Sequence, residues 1–206
     1  MDQAIIQARI DAIGEKYKEL IDSQSQCILD EKDEEELLSY LHSGDEIIRA
    51  GAVDLLGYSD KQTTRDILIE QINRDKSRIV RAYCCSALCD IAFERKETEY
   101  VVSFLSQALK KEHSIFVKLA WIADLAQYSN SMQLEDYKRT IEQGLRCKSR
   151  HNRYLAAEAI LSDPRFLTLF DVRQLKKIEK KEKCFYIRSE LMTIIHSCGR
   201  KKIAAE

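Results

Sequence analysis

One residue pattern recurs five times along the chain and constrains its fold more than any other feature. In each copy a basic residue is followed by apolar residues at helical spacing, and the copies place it at Arg49, Arg81, Lys118, Arg153 and Arg188. The intervals between copies are 32 to 37 residues. A recurring period of this length is typical of repeat proteins, in which every unit buries its apolar face against the next. The pattern therefore predicts a stack of similar units.

Each repeat contains two amphipathic segments. The basic residue opens the second segment, in which apolar residues such as Leu55 and Leu56 continue at helical intervals. A first segment with its own apolar stripe precedes it, as Leu68 and Ile72 illustrate. Short polar links such as residues 42–44 separate the two, and the chain has only six glycines and one proline for tight turns. The repeating unit is therefore predicted to be an antiparallel pair of helices.

The arrangement within each second segment resembles a known family. An apolar residue, the basic residue, a small residue three positions later and then a paired apolar stretch resemble the HEAT-repeat family, including the bacterial HEAT-like repeats of the phycobilisome lyase type. The resemblance covers roughly residues 33–197. It implies an all-α fold, a right-handed α/α superhelix (solenoid) of about five HEAT-like helical hairpins.

The resemblance and the apolar pattern together give a domain organisation. We expect one HEAT-like repeat domain over residues 1–206, with five helix pairs in 33–197 and a tail in 198–206. Residues 1–32 are predicted to hold an N-terminal capping helix and a linker, because Ile10, Ile13 and Tyr17 form an apolar stripe there. Terminal units of a repeat array need such a cap to cover their open face.

The family resemblance also implies an ionic ladder between neighbouring repeats. In HEAT-like repeats an acidic residue commonly lies six positions before the arginine. Here Asp75, Glu112 and Glu182 occupy that position before Arg81, Lys118 and Arg188, whereas Ser43 and Cys147 stand at the other two equivalent positions. We therefore interpret these acids and the five basic residues as structural.

The sequence assigns no catalytic residue, cofactor or metal. It has no glycine-rich phosphate loop and no GxSxG motif. Its seven cysteines, among them Cys27, are an odd number without a secretion signal, which favours reduced thiols. Cys85 and Cys89 lie four apart, but no CxxC pair or nearby histidine completes a zinc site, so buried cysteines are the better interpretation.

Trp121 and Asp124 leave two interpretations open. They resemble the aromatic residue and aspartate in the cleft of HEAT-like alkylpurine DNA glycosylases. Alternatively, Trp121 is a core anchor and Asp124 lies at the surface.

The formal net charge of −1 conceals a gradient. Residues 1–60 carry 5 basic and 15 acidic side chains, and residues 138–206 carry 17 and 8. The second helices of a HEAT-like superhelix are expected to line its concave side. Their positions pointing away from the core give a partner-binding set of Asp54, Tyr58, Tyr83, Ser86, Asp90, Glu158 and Glu190. Tyrosines flanked by carboxylates favour a basic protein as partner.

We therefore predict a non-catalytic protein-binding module, either a scaffold or adaptor or an immunity-type inhibitor, that engages a basic protein on its concave face. The alternative is a HEAT-like DNA-binding or DNA glycosylase-type protein that uses the basic C-terminal repeats. Head-to-tail self-association between the acidic and basic ends is also open. No stretch approaches the roughly 20 apolar residues of a membrane span, and a cytoplasmic location without membrane contact is expected.

Overall fold

A computed structural model of the chain describes residues 3–22, 28–128 and 134–203; Cys27 and the residues predicted to separate the third and fourth pairs, 129–131, lie outside them. The described residues form eleven α-helices and one short 3-10 helix, residues Phe166–Thr168. The helices are α1 (Gln3–Asp22), α2 (Glu31–Tyr40), α3 (Glu46–Leu56), α4 (Gln62–Arg74), α5 (Arg78–Arg95), α6 (Thr98–Lys111), α7 (Ile115–Tyr128), α8 (Glu135–Leu145), α9 (Arg150–Leu161), α10 (Val172–Glu179) and α11 (Phe185–Ile203).

The all-α class and the helices predicted from the sequence are confirmed. Each predicted first segment forms an even-numbered helix from α2 to α10, and each basic residue lies in the first turn or two of the odd-numbered helix that follows. Local capping explains these starts. Asp45 accepts a hydrogen bond from the Ile47 amide at 2.8 Å, and the Ser77 hydroxyl accepts one from the Ile79 amide at 3.1 Å.

The chain divides into two compact units, residues 1–106 and 107–206, with the boundary inside α6. In the first unit, α2 packs against α3 and α4 against α5, while the second helices α3 and α5 also pack side by side. Helix α1 lies against α3, where Ile10, Ile13 and Tyr17 are buried. It therefore covers the first helix pair, as a cap is expected to do.

In the second unit, α8 packs against α9 and α10 against α11, and the second helices α7, α9 and α11 pack in sequence. Gly144 sits where α8 approaches its neighbours most closely. A Cβ atom at this position would lie 2.7 Å from Leu119 Cδ1 and 2.8 Å from Ala156 Cβ. The absence of a side chain at Gly144 is thus what permits this packing distance.

Helix α11 runs to Ile203, into the segment 198–206 for which a tail is predicted. Cys198 is buried on this extension, and its thiol donates a hydrogen bond to the Leu167 carbonyl at 3.2 Å. Every helix within the described ranges is too short or too polar to span a bilayer. The division of the whole chain into one domain with these boundaries stays a prediction.

Candidate functional site

Two of the repeated basic residues, Arg49 and Arg153, connect consecutive helix pairs in the structure. Arg49 of α3 donates from Nε and Nη2 to the two carboxylate oxygens of Asp75, at 2.8 and 2.9 Å. Its Nη1 donates to the Ser43 carbonyl at 2.8 Å, so the guanidinium also holds the turn before its own helix. Burial is the largest single influence and raises the pKa of Asp75, but the hydrogen bonds from Arg49, the Ser77 amide and Gln71, together with the charge of Arg49, outweigh it and lower that pKa overall. This arginine bridges its own turn and that of the next repeat.

The same geometry recurs in the second unit. Arg153 of α9 donates from Nε and Nη2 to the carboxylate of Glu182 at 2.6 and 3.1 Å, and from Nη1 to the Cys147 carbonyl at 3.0 Å. Hydrogen bonding to Arg153 lowers the pKa of Glu182. A bidentate arginine and carboxylate pair is a geometrically specific contact. Its recurrence assigns Arg49 and Arg153 to joining repeats.

The other members of the predicted ladder have varied surroundings. Arg81 donates from Nη1 to the Asp75 carbonyl at 3.0 Å. Glu112 accepts from the Ser114 amide at 2.7 Å and so supports the start of α7. Arg188 is exposed and pairs with Glu179 at 2.5 Å. Lys118 lies half-buried on α7. The predicted structural role of these residues stays a prediction.

In the first unit, two acidic residues of the predicted partner-binding set influence each other. Asp54 of α3 is exposed, and Asp90 of the adjacent α5 is half-buried. Although the Asp54 side chain reaches the solvent, the surrounding protein atoms displace part of its water, and this desolvation and the like charge of Asp90 raise the pKa of Asp54. On the same helix as Asp90, Tyr83 is exposed and Ser86 is half-buried. We refer to Asp54, Tyr83, Ser86 and Asp90 as the α3–α5 face.

Tyr58 does not extend this face along α3, contrary to its predicted position. The helix ends at Leu56 with Gly57 as its C-terminal cap, so helical spacing no longer applies at Tyr58. The Tyr58 carbonyl accepts from the Leu29 amide at 3.1 Å. Its ring stacks on Tyr17 of α1, with 6.2 Å between the ring centroids and 12° between the planes. Tyr58 therefore attaches the N-terminal helix and its ring is engaged within the fold.

In the second unit, Glu158 and Glu190 lie in one groove of about 300 Å³. Gln127, Tyr154, Leu161 and Ser162 complete its lining, so residues of α7, α9 and α11 contribute. The Tyr154 hydroxyl donates to Glu158 at 3.5 Å, and the charges of Glu158 and Glu190 contribute to raising the pKa of Tyr154. The groove therefore combines a phenol with two carboxylates.

Tyr154 is absent from the partner-binding set that the sequence predicts. The structure rotates α9 so that Tyr154 is exposed and Leu155 is half-buried. The signal that could have found Tyr154 is its spacing of four from Glu158, which places both side chains on one face of a helix.

A second groove in this unit, of about 370 Å³, has the opposite charge. Arg146 from the end of α8 and the lysines Lys181 and Lys183 from the turn before α11 line it. Arg153 and Glu182 line it as well. The structure thus brings together two basic turns that are far apart in the sequence.

Most of the residues considered for metal or base recognition lie in the core. Cys84, Cys85 and Cys89 are buried, and burial raises the pKa of the Cys84 thiol. Within the described ranges, no group of three or more His, Cys, Asp or Glu side chains is placed to hold a metal ion. Trp121 is only 1% exposed, so it cannot stack on a base in an open cleft, and the glycosylase-like interpretation of Trp121 is wrong. Asp124 is half-buried.

A model of the HEAT repeats family matches residues 34–126, which run from within α2 to within α7 and thus cover most of three of the five predicted helix pairs. Neither a curated protein nor a solved structure matches the chain. The phycobilisome lyase type is not distinguished by this match.

Proposed function

Because this chain is a HEAT-repeat protein, we propose that it is a non-catalytic protein-binding module that engages a basic partner through the exposed side of its second helices. HEAT repeats generally serve as scaffolds for protein interactions, since their stacked helices present extended surfaces. Family membership alone does not fix the partner, which has to be argued from the site.

The observation that carries the proposal is the groove lined by Tyr154, Glu158 and Glu190. Two carboxylates and the face of a phenol ring are the groups that recognise a lysine or arginine side chain, by charge attraction and by cation–π contact. The raised pKa of Tyr154 reflects the negative potential that Glu158 and Glu190 create there, together with burial. A cation entering the groove would be stabilised by that potential.

The α3–α5 face supports the same partner chemistry. The raised pKa of Asp54 reflects desolvation first and then repulsion between the carboxylates of Asp54 and Asp90. A cation from a partner placed between them would relieve this repulsion, and exposed Tyr83 would add apolar contact area. Both acidic sites therefore favour a partner with several basic side chains.

The module can act as a scaffold, an adaptor or an inhibitor of the immunity type. If the module is an inhibitor, its acidic sites cover a cationic surface of a basic toxin such as a nuclease. That surface is the one with which the toxin binds its own substrate. Inhibition of a basic nuclease at stoichiometric protein would support this form, and unimpaired nuclease activity in the bound complex would indicate a scaffold or adaptor.

A fluorescent oligolysine peptide tests the charge chemistry directly. A variant that neutralises the four acids is expected to lose binding of this peptide. Its substitutions are Asp54→Asn, Asp90→Asn, Glu158→Gln and Glu190→Gln. The matched control neutralises the same number of exposed acids elsewhere, at Glu15, Glu19, Glu35 and Glu99. Equal affinity of the two variants for the peptide, with unchanged helicity, would show that overall charge and not these sites binds the cation.

A further inference from the structure

Two turns of the second unit form one basic groove. Arg146 lies in the turn between α8 and α9, and Lys181 and Lys183 lie in the turn between α10 and α11. All three line the groove of about 370 Å³. The bidentate contact between Arg153 and Glu182 links the two turns, because Glu182 belongs to the second turn and Arg153, at the start of α9, also donates to the Cys147 carbonyl of the first. The groove is therefore held open by an internal ion pair.

The charge presented around this groove is strongly positive. Two acids beside the groove are paired within the fold: Glu182 is 3% exposed and paired with Arg153, and Glu179 is paired with Arg188. The exposed charged residues of the two turns and of α10 are cations, namely Arg146, Lys148, Arg150, Arg173, Lys176, Lys177, Lys180, Lys181 and Lys183, while the exposed acid Asp171 caps the start of α10. Such a cluster attracts polyanions and is sensitive to salt.

Two aromatic side chains follow directly after the basic turn. Phe185 and Tyr186 are 77% and 74% exposed, and their ring centroids lie 5.9 Å apart at an interplanar angle of 75°. Phe185 is two residues beyond Lys183, which lines the groove. Adjacent large aromatic rings with this exposure offer flat apolar faces to a ligand.

From this combination we infer that the basic groove and the aromatic pair bind single-stranded nucleic acid. Cations in a groove can track the phosphates, and exposed aromatic rings can stack on unpaired bases. A duplex keeps its bases stacked internally and cannot use the aromatic pair. The surface shares no residue with the groove of Tyr154, Glu158 and Glu190, so the inference goes beyond the proposed function and is tested separately from it.

The electrostatic part is tested by titrating fluorescent oligo(dT) and oligo(U) across salt concentrations, with a duplex of the same length beside them. Both single strands are expected to bind more tightly than the duplex. A preference for oligo(U) over oligo(dT), or the reverse, identifies which single strand is the better ligand. Each phosphate contact contributes about 0.7 to the slope of log affinity against log salt for single strands. The variant Arg146→Gln, Lys181→Gln, Lys183→Gln is therefore expected to lower the slope by about 2.

A control removes the same charge from another surface. The control variant carries Lys18→Gln, Lys32→Gln and Lys76→Gln, at three exposed positions of the first unit. It is expected to keep the oligonucleotide affinity and the salt slope of the unaltered protein. Equal losses in the two triple variants would overturn the assignment of the groove. So would polyglutamate binding as tightly as the oligonucleotides.

The aromatic part predicts a different signature. Phe185→Ala with Tyr186→Ala is expected to weaken oligonucleotide binding about tenfold or more while leaving the salt slope unchanged, because stacking releases no counterions. Phe93→Ala, which removes an exposed ring in the first unit, is the matched control and should bind normally. Unchanged affinity of the double variant, or concentration-dependent self-association of the unaltered protein that competes with the oligonucleotide, would overturn the inference.

Discussion

Asp75 accepts hydrogen bonds from two successive repeats, since its carboxylate binds Arg49 of α3 and its carbonyl binds Arg81 of α5. The carboxylate also accepts from the Ser77 amide at 2.7 Å, which places it at the start of α5. Asp75 thus stabilises the turn of its own repeat and links that turn to α3 of the preceding repeat.

Removing the guanidinium from the first of these contacts should destabilise the fold. Arg49→Met keeps most of the apolar stem but leaves Asp75 buried, 4% exposed, without its charge partner. The expected loss is about 2–4 kcal/mol in the free energy of unfolding by urea. Arg74→Met, which breaks an exposed pair with Glu70 within α4, should change it by less than about 0.5 kcal/mol. Similar values for the two variants would contradict the bridging role of Arg49.

Acid should selectively weaken the contact between Arg153 and Glu182. The pKa of Glu182 is lower in the folded protein than its ordinary value, so this contact stabilises the fold at neutral pH. That stabilisation is lost as the pH falls below about 4, towards the lowered folded pKa. Glu182→Gln should therefore be less stable than the unaltered protein at neutral pH and equally stable in strong acid. Urea midpoints measured across this range, with exposed Glu158→Gln as control, check the expected convergence.

The close approach at Gly144 predicts an unfavourable Gly144→Ala substitution. Alanine is ordinarily the better helix former by roughly 1 kcal/mol. Here its Cβ would overlap Leu119 and Ala156, and Ala156 has no side-chain freedom with which to move away. Overpacking should outweigh the propensity gain and destabilise the protein by about 1–3 kcal/mol. Gly44→Ala, where no atom lies within 4 Å of the added carbon, should be close to neutral; a stabilised Gly144→Ala would refute the tight packing.

Asp54→Asn should separate stability from binding. The raised pKa of Asp54 means that its ionised form is disfavoured in the folded state, so the amide should increase stability by a few tenths of a kcal/mol at neutral pH. The same change should weaken oligolysine binding. Because the pKa of Asp54 is raised, its carboxylate should be protonated at a higher pH than an ordinary aspartate, whose pKa is about 4. As acid is added to the unaltered protein, oligolysine binding should therefore begin to fall above that pH. Peptide affinity that is independent of Asp54 would exclude it from the site.

The helix pairs were predictable because the signals that form them are local. Apolar residues at helical intervals and capping residues such as Asp45 and Ser77 specify each helix within a few turns of chain. The outward positions were less predictable. Tyr58 was misassigned because α3 ends at Leu56, and Tyr154 was missed because a rotation of one residue separates exposed from half-buried positions.

The basic groove could not have been predicted from either charge run alone. Arg146 and Lys181 are separated by two helices, and only the packing of consecutive turns, joined by Arg153 and Glu182, brings them to one surface. The total charge of the C-terminal residues is visible in the sequence. Which of those charges are exposed and which are paired internally depends on the tertiary contacts.

The position of α1 determines where this protein can be truncated for recombinant expression. The family match begins at residue 34, but Arg9 and Lys16 of α1 form ion pairs with Asp33, and Tyr17 stacks on Tyr58. A recombinant fragment trimmed to the matched residues 34–126 would expose the apolar side of α3 that Ile10 now covers, and would lose Asp33 together with both of its cations. Such a fragment would be prone to aggregate, so expression boundaries should be drawn upstream of α1.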